Sequence, residues 1–217
     1  MDSTFPTLTL FVGPLPGIDR SRLEMELALL QTLFVDELGL ITPLLKVQDD
    51  ESLPAGAYRL QLNEQRLPPI EGIKPHEFWV LYPADALTEP KFGRTWRARP
   101  AVEPNFGNAA AIVEGDDAAR QLWQENGHDT RGPTEYVVFT VAAEIRKRAD
   151  EFLVPALAEY YLTKLRSPYP ALVDSARQQF DLATLTEALR AKLRARESIK
   201  DLRTILEDML EARVLAP

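Results

Sequence analysis

The strongest constraint on the fold is the order of apolar patterns in the first third of the chain. The pattern over Thr7–Val12 predicts a short strand. Asp19 or Ser21 can then cap a long helix that runs to about Leu38, because apolar residues recur there at helical spacing. They are Leu23, Leu27, Leu30, Phe34 and Leu38, with Met25, Leu29 and Leu33 beside them. So broad a stripe predicts a helix well buried against a sheet.

Further strands are expected after this helix. They lie at Leu44–Val47, Tyr58–Leu62 and Glu77–Tyr82, where short apolar patterns are bounded by turn-forming residues. A strand, a helix and then several strands indicate the α+β class. The sequence therefore predicts a small α+β domain at the start of the chain.

Residues 83–133 form a predicted insertion in this domain. Proline and glycine are frequent there, and a Glu-Pro-x-Phe-Gly pattern occurs twice, at Glu89–Gly93 and Glu103–Gly107. Two copies are too few for a repeat architecture, which needs at least about three stacked units. A strand at Ala109–Val113 and a helix at about Asp116–Asn126 complete the insertion.

The remainder of the chain predicts helices alone. Pro133 suits the first turn of a helix that ends at about Ala149. Four more helices are expected: one over Phe152–Leu165, one that Pro170 opens, one that Asp181 caps and one that Ser198 caps. With short connections, these four predict an orthogonal, winged-helix-like bundle. The predicted division is 1–82 plus 134–153 for the first α+β part, 83–133 for the inserted part and 154–217 for the bundle.

The distribution of charge argues against a nucleic-acid partner. Residues 1–133 hold 12 Lys and Arg against 20 Asp and Glu, while residues 134–217 hold 13 of each, so the net charge of −8 arises in the first part. An acidic chain without a basic groove repels phosphate backbones. We interpret the basic run Arg190, Lys192, Arg194 and Arg196 as the end of a helix, where cations complement the helix dipole.

Other bulk features favour a protein without a membrane segment or disulfides. The sequence has no run of about eighteen apolar residues, so no membrane insertion by this chain is predicted. Met1–Thr4 has no basic region followed by an apolar block, so no secretory signal is predicted. The absence of cysteine excludes a disulfide framework, a thiolate zinc site and a cysteine nucleophile. These features are compatible with the cytoplasm.

Signatures of enzymes are scarce. The sequence contains no glycine-rich phosphate loop, no His-Glu-x-x-His and no Gly-x-Ser-x-Gly. His76 and His128 each lie beside a carboxylate, but they read as surface histidines rather than metal ligands. Asp49-Asp50-Glu51 reads as a solvated turn and Asp116-Asp117 as a helix N-terminus. The sequence therefore predicts no catalytic residue, metal or cofactor.

Several motifs resemble the cytosolic part of one protein family. The most specific is Ser198–Glu207, which differs from the family's Ser-Ile-Arg-Asp-Leu-Arg-Thr-Ile-Leu-Glu by one conservative change. The others, in chain order, are Glu37-Leu38-Gly39 before Pro43, Tyr58-Arg59-Leu60, Glu103–Gly107 with the strand after it, Val137–Thr140 and Tyr169–Val173. On these motifs the chain resembles the FHIPEP family of flagellar and type III secretion export-gate proteins. The resemblance lacks the family's membrane half and its fourth cytosolic subdomain.

The resemblance implies a fold and a function. It implies a ferredoxin- or thioredoxin-like first subdomain, a second inserted into it and a helical third. It implies a cytoplasmic location at the inner membrane, and a nonameric ring that docks export chaperones with their secreted substrates beside other export components. It also implies a docking site, which position by position falls on Glu103, Phe106 and Thr140. Glu89–Gly93 offers the same motif as Glu103–Gly107, and the strand behind Phe106 favours the later copy.

Two other function classes remain open at this point. The chain can be a stand-alone scaffold or regulatory adaptor whose bundle mediates oligomerisation without any role in secretion. It can also be a small hydrolase with an unrecognised carboxylate site. As a detached module it is expected to associate only weakly, because a membrane anchor would otherwise raise its local concentration.

Overall fold

The computed structural model describes residues 6–215 and divides the chain into two compact units. The sheet unit comprises Thr7–Leu29 and Leu45–Ile145, and the helical unit comprises Met1–Pro6, Leu30–Leu44 and Arg146–Pro217. Met1–Thr4, where no signal is predicted, and the last two residues of the predicted bundle lie outside the described residues. Three subdomains with the bounds given above stay a prediction.

The first sheet of the sheet unit combines a parallel pair with antiparallel neighbours. Its strands are β1 (Leu8–Val12), β2 (Leu45–Asp49), β3 (Ala57–Leu62), β4 (Gln65–Arg66) and β5 (Ile70–Glu71). The order is β2-β1-β3-β4, and β5 also pairs with β3. Leu10 of β1 lies opposite Val47 of the parallel β2 and opposite Leu60 of the antiparallel β3. Alternate side chains of β1 are buried, as the two-residue period of a strand requires.

Helix α1 (Arg20–Leu38) follows β1, as predicted, but it is less buried than expected. The Asp19 carboxylate caps it by accepting the N–H groups of Ser21 at 2.8 Å and Arg22 at 3.2 Å. The stripe from Leu23 to Leu38 is buried. Met25, Leu29 and Leu33, however, are 63%, 64% and 39% exposed, so the prediction of a broadly buried helix was wrong. Apolar residues extend beyond the face of α1 that packs, and those beyond it meet solvent.

The second sheet is antiparallel and lies entirely in the sheet unit. Its strands are β6 (Glu77–Val80), β7 (Ala98–Val102), β8 (Ala109–Glu114) and β9 (Thr130–Arg131), in the order β7-β8-β6-β9. The sequence patterns predicted β6 and β8 but not β7 or β9. Because β6 pairs with β8 and β9, the second sheet begins at Glu77, before the predicted start of the insertion at 83.

Apolar side chains pack on both faces of the second sheet. On one face Phe78, Val80, Ala111 and Val113 contact Leu87 of a 3-10 helix (Ala84–Leu87), Trp96, and Ala119 and Trp123 of helix α2 (Asp117–Glu125). On the other face Trp79, Ala110 and Ile112 contact Ile73 and Tyr136 of helix α3 (Pro133–Lys147). Asp116 caps α2 by accepting the Ala119 N–H, as its helix N-terminal position predicts. The two strands at the centre of this sheet are therefore buried on both sides.

The helical unit contains five helices from its C-terminal segment. They are α4 (Ala149–Phe152), α5 (Pro155–Arg166), α6 (Pro170–Gln179), α7 (Leu182–Arg194) and α8 (Leu202–Leu215). The helix expected over Phe152–Leu165 begins only at Pro155, because Val154 is extended, as the residue before a proline prefers. Asp181 caps α7 by accepting the Thr184 N–H at 2.7 Å, which confirms that prediction.

The N-terminus of α8 differs from the expected one. Asp201, rather than Ser198, caps the helix, because its carboxylate accepts the Thr204 N–H at 3.1 Å and the Thr204 hydroxyl at 2.8 Å. The Ser198 hydroxyl instead accepts the Lys200 N–H at 3.2 Å. The physical reason lies at Ile199, whose side chain is buried and whose N–H donates to the Leu38 carbonyl. The segment before Asp201 is therefore not helical.

Two of the sequence motifs meet in the helical unit, at the C-terminus of α1. The Ile199 N–H donates to the Leu38 carbonyl at 2.8 Å, and the Lys200 ammonium donates to the Asp36 carbonyl at 2.9 Å. Both contacts satisfy carbonyls that a helix leaves open at its last turn. Gly39 ends the helix with φ +74°, and a Cβ there would lie 2.8 Å from the Lys200 backbone nitrogen. Glycine is therefore required twice over, for its backbone angle and for its lack of a side chain.

We expect Gly39→Ala to destabilise the protein by about 2–4 kcal/mol. A left-handed backbone costs an L-residue about 1–2 kcal/mol, and the overlap with Lys200 adds to that cost. Gly127→Ala is the matched control, because Gly127 follows α2 with φ +81° and has open space around its Cβ position. Urea unfolding of both variants measures the difference, and equal losses would show that the approach of Lys200 contributes nothing.

We expect Leu202→Ala to cost about 2–5 kcal/mol, as for a buried leucine. Leu202, Ile205 and Met209 repeat at helical spacing in the sequence, which predicts that they share the inner face of α8. Leu202 and Ile205 are each 8% exposed, as predicted, whereas Met209 is only half-buried. Leu206, at 1% exposure, is an inner residue that the pattern left out. Glu211→Ala on the exposed face is the control for helix propensity. A loss within about 0.5 kcal/mol, typical of surface sites, would contradict the burial of Leu202.

Candidate functional site

The candidate site centres on the hairpin that joins β7 to β8. Val102 and Ala109 are the last paired residues of the two strands. Beyond them the Glu103 N–H donates to the Asn108 carbonyl at 2.8 Å, and the Gly107 N–H donates to the Glu103 carbonyl at 3.0 Å. Gly107 takes φ +78°, a conformation that glycine adopts without strain. The second Glu-Pro-x-Phe-Gly copy is therefore a closed turn.

Glu103 holds this turn rather than projecting from it. It is 5% exposed, and its carboxylate accepts the Asn105 N–H at 2.8 Å, the Asn105 side-chain amide at 3.0 Å and the Phe106 N–H at 2.6 Å. Hydrogen bonds to a charged acceptor are about twice as strong as neutral ones. Glu103 thus fixes the backbone from which the Phe106 side chain projects.

The two copies of the motif place their phenylalanines differently. Phe106 of the later copy is 78% exposed, the highest value among the exposed large apolar residues of the described chain. Phe92 of the earlier copy is half-buried, and its ring centroid lies 5.1 Å from that of Trp123. The Lys91 ammonium lies 4.2 Å from the Tyr82 ring centroid and 5.0 Å from that of Phe92. Phe106 is therefore a surface residue, while Phe92 belongs to an aromatic cluster.

Thr140 lies in the interior of the sheet unit. It is 5% exposed, and its hydroxyl lies 3.0 Å from the carbonyls of Tyr136 and Val137 and 2.5 Å from the Tyr58 hydroxyl. A threonine has one hydroxyl hydrogen, so with that hydrogen directed to the carbonyls Tyr58 is the donor. Burial raises the pKa of Tyr58 far above its usual range, which keeps this donor protonated. The arrangement ties α3 to β3.

The structure thus places two of the three predicted site residues in one turn and the third elsewhere in the sheet unit. Glu103 and Phe106 share one turn, whereas the Thr140 hydroxyl is engaged inside the unit. Sequence reasoning missed Val102, which precedes the turn and is 61% exposed. The only signal for it was its position before the motif, since the strand that carries it was not predicted.

The residues considered for catalysis in the sequence analysis make contacts of the kind that hold a fold together. His128 contacts the rings of Tyr82 and Trp123, and burial, followed by the nearby Lys91 charge, lowers its pKa. Hydrogen bonds from Ser52 and Arg59 lower the pKa of Asp50 to about 2. Within residues 6–215, no group of three or more His, Cys, Asp or Glu residues is placed to hold a metal ion.

The basic run of α7 is paired with neighbouring groups. Arg194 contacts Asp150 at 2.8 Å, and Lys192 contacts Glu197 at 2.7 Å. Arg190 donates to the Leu153 carbonyl at 2.9 Å. These pairings support the interpretation of a helix end. Among the described helices, none is long and apolar enough to cross a membrane.

Comparison with known proteins identifies relatives of this chain. The FHIPEP family profile matches residues 7–216. The flagellar biosynthesis protein FlhA of Treponema pallidum (strain Nichols) is 23% identical over 208 residues, which is 94% of this chain and 28% of that protein. The chain therefore spans little more than a quarter of that relative's length.

Solved structures share the fold. The Chlamydia pneumoniae CdsV protein superposes with a TM-score of 0.77 at 21% identity, covering 99% of this chain and 62% of that one. The nonameric SctV-C from EPEC gives a TM-score of 0.73 at 17% identity, covering 100% of this chain and 63% of that one. Since the family profile covers almost the entire sequence, this chain belongs to the FHIPEP family.

Proposed function

We propose that this chain is a non-enzymatic protein-docking module of a type III export gate, which binds export chaperones carrying secreted substrates. The observation that carries the proposal is Phe106, a large aromatic side chain 78% exposed on a turn whose backbone is fixed by a buried carboxylate. Exposed aromatic anchors on rigid elements are typical of protein-binding hot spots. Membership of the FHIPEP family supplies the class of partner.

The proposed site assigns different roles to its three residues. Phe106 enters a pocket of the partner and provides most of the apolar contact. Glu103 positions Phe106 through the turn, since its carboxylate is occupied by N–H groups of that turn. Thr140 does not touch the partner. It acts indirectly, because its hydrogen bond with Tyr58 holds α3 on β3.

Charge supports a role in guiding partners to the sheet unit. This unit holds 12 Lys and Arg against 19 Asp and Glu, which leaves the helical unit nearly neutral. An acidic surface speeds the approach of basic partner segments and is weakened by salt. We therefore propose that the sheet unit receives partners, at the cytosolic face of the inner membrane, while the helical unit takes part in a ring of the kind named for the nonameric SctV-C.

We expect Phe106→Ala to weaken binding of an export chaperone–substrate complex by about 2 kcal/mol or more, the hot-spot range. Calorimetric titration with purified complexes from the same cell measures this. Met25→Ala is the matched control, because Met25 is also in the sheet unit and is 63% exposed. Phe92→Ala is a poor control, since Phe92 packs on Trp123 and its loss would lower stability.

Two outcomes would overturn this assignment. Unchanged affinity for Phe106→Ala in a stably folded protein would remove Phe106 from the site. An absence of binding by any chaperone complex, with neighbouring genes unrelated to secretion, would favour the stand-alone adaptor.

We expect the isolated 217-residue chain to be a monomer or a weak oligomer at micromolar concentration. A membrane-anchored subunit gains a high local concentration, and a free polypeptide in solution lacks that gain. Native mass measurements over a range of concentrations test this expectation. A stable ring of the free chain would contradict it.

A further inference from the structure

Strand β2 presents an open edge in the first sheet. Among the described strands it pairs with β1 alone. The Asp50 N–H that follows it donates to the Val12 carbonyl at 2.8 Å. In a parallel ladder, alternate residues direct their backbone groups towards the partner strand. Lys46 and Gln48 therefore bond to β1, while Leu45, Val47 and Asp49 direct their N–H and C=O groups away from it.

By contrast, the longer edge strand of the second sheet, β7, is poorly suited to pair with an added strand. The Arg97 carbonyl accepts the Glu114 N–H at 2.9 Å, and the Glu103 N–H donates to Asn108. The same alternation then directs the backbone groups of Ala98, Pro100 and Val102 outwards. Pro100 has no N–H, so an added strand would miss its central hydrogen bond. The β2 edge has no proline among its outward residues and is chemically competent to accept a strand.

The apolar face of β2 is also incompletely covered. Leu45 and Val47 lie opposite Leu8 and Leu10, which are 3% and 0% exposed. Leu45 and Val47 themselves are only half-buried, because no strand lies beyond them in the described chain. A strand added at this edge would cover their outer sides and gain apolar contact.

An acidic groove lies where β2 ends. A cavity of about 550 Å³ is lined by the apolar Leu15 and Ile18 and by four carboxylates, Glu24, Asp49, Asp50 and Glu51, against one cation, Arg20. Arg20 bonds Glu24 at 2.6 Å and Asp49 at 2.9 Å, and Arg59, which is outside the lining, pairs with Asp50, so four carboxylates meet two cations and an excess of negative charge is left. A basic side chain entering this groove meets a surplus of negative charge and an apolar floor for its methylene stem.

We propose that the β2 edge binds an extended segment of a partner protein by strand addition, with an arginine or lysine of that segment in the acidic groove. Antiparallel pairing, the more stable arrangement per residue, places the basic residue at the N-terminal end of the segment. The backbone edge supplies affinity, and the groove supplies orientation and charge selectivity. This surface is separate in sequence from the hairpin that carries Phe106, and the proposal does not depend on chaperone docking there.

Two labelled hexapeptides test this proposal on the full chain. The first is Arg-Arg-Val-Thr-Val-Thr, and the second replaces both arginines with glutamate. By fluorescence anisotropy at low salt, we expect the arginine peptide to bind at least about tenfold more tightly than the glutamate peptide. The double substitution Asp49→Lys with Glu51→Lys should remove that preference. Equal binding of the two peptides, or no binding of either, would overturn the proposal.

Amide hydrogen exchange locates the binding. In the free protein, we expect the amides of Leu45, Val47 and Asp49 to exchange faster than those of Lys46 and Gln48. The arginine peptide should slow the first three by about tenfold or more and leave the other two unchanged. Slow exchange of all five without peptide would mean that the edge is already covered, and protection that grows with protein concentration would identify a second copy as the occupant. Either result would overturn the proposal.

Val47→Pro provides the backbone test. It removes one outward N–H and should abolish peptide binding, whereas Val47→Thr keeps that N–H and should bind. Circular dichroism and unfolding measurements establish that both variants are folded. If Val47→Pro is unfolded, the exchange pattern and the charge-reversal variant still decide the matter. Undiminished binding by a folded Val47→Pro would overturn strand addition.

Discussion

In the helical unit, one close contact joins chain segments about 160 residues apart, so folding has to close a long loop before this contact forms. The Leu38 carbonyl accepts the Ile199 N–H at 2.8 Å, and Lys200 passes so close to Gly39 that no side chain fits between them. This contact ties the end of α1 to the segment that leads into α8. It also gives a physical meaning to two of the sequence motifs, Glu37-Leu38-Gly39 and Ser198–Glu207, since each packs against the other. The Glu37 carboxylate adds an ion pair with Arg146 at 2.7 Å.

Local signals in the sequence predicted the elements whose stability is local. Asp19, Asp116 and Asp181 each cap the helix that follows, and their side chains needed no tertiary information to be recognised. Strand β7 was missed because it carries Arg99 and Pro100 and has no apolar alternation. Its strand conformation comes from pairing with β8, which a single-sequence pattern does not reveal. The exposure of Met25 was missed for a similar reason, because an apolar pattern does not show how much of a helix is covered by neighbouring elements.

The sequence predicted which residue types form the candidate site, but it did not predict which of them are buried. Two copies of one motif offered the same residue types, and only their tertiary neighbours separate them. Phe92 meets Trp123 at 5.1 Å, whereas the turn around Phe106 is held by its own glutamate. Thr140 illustrates the opposite case, because it was predicted for the docking site but its hydroxyl bonds to Tyr58 in the interior. The sequence pattern of α3 does not reveal which face of the helix packs on the sheet, so it does not reveal that a polar residue such as Thr140 is buried.

The discontinuity of the helical unit has a consequence for biosynthesis. Residues 30–44 emerge from the ribosome well before their partners Ile199 and Lys200. During that interval Leu38, which is buried in the folded protein, lacks its contact with Ile199, and transiently exposed apolar surface makes a partly folded chain prone to aggregation and a target of chaperones. A chain that stops short of Ile199 never acquires this contact. The helical unit of such a chain stays incomplete, and proteases that act on exposed apolar segments can distinguish it from a chain in which the unit is complete.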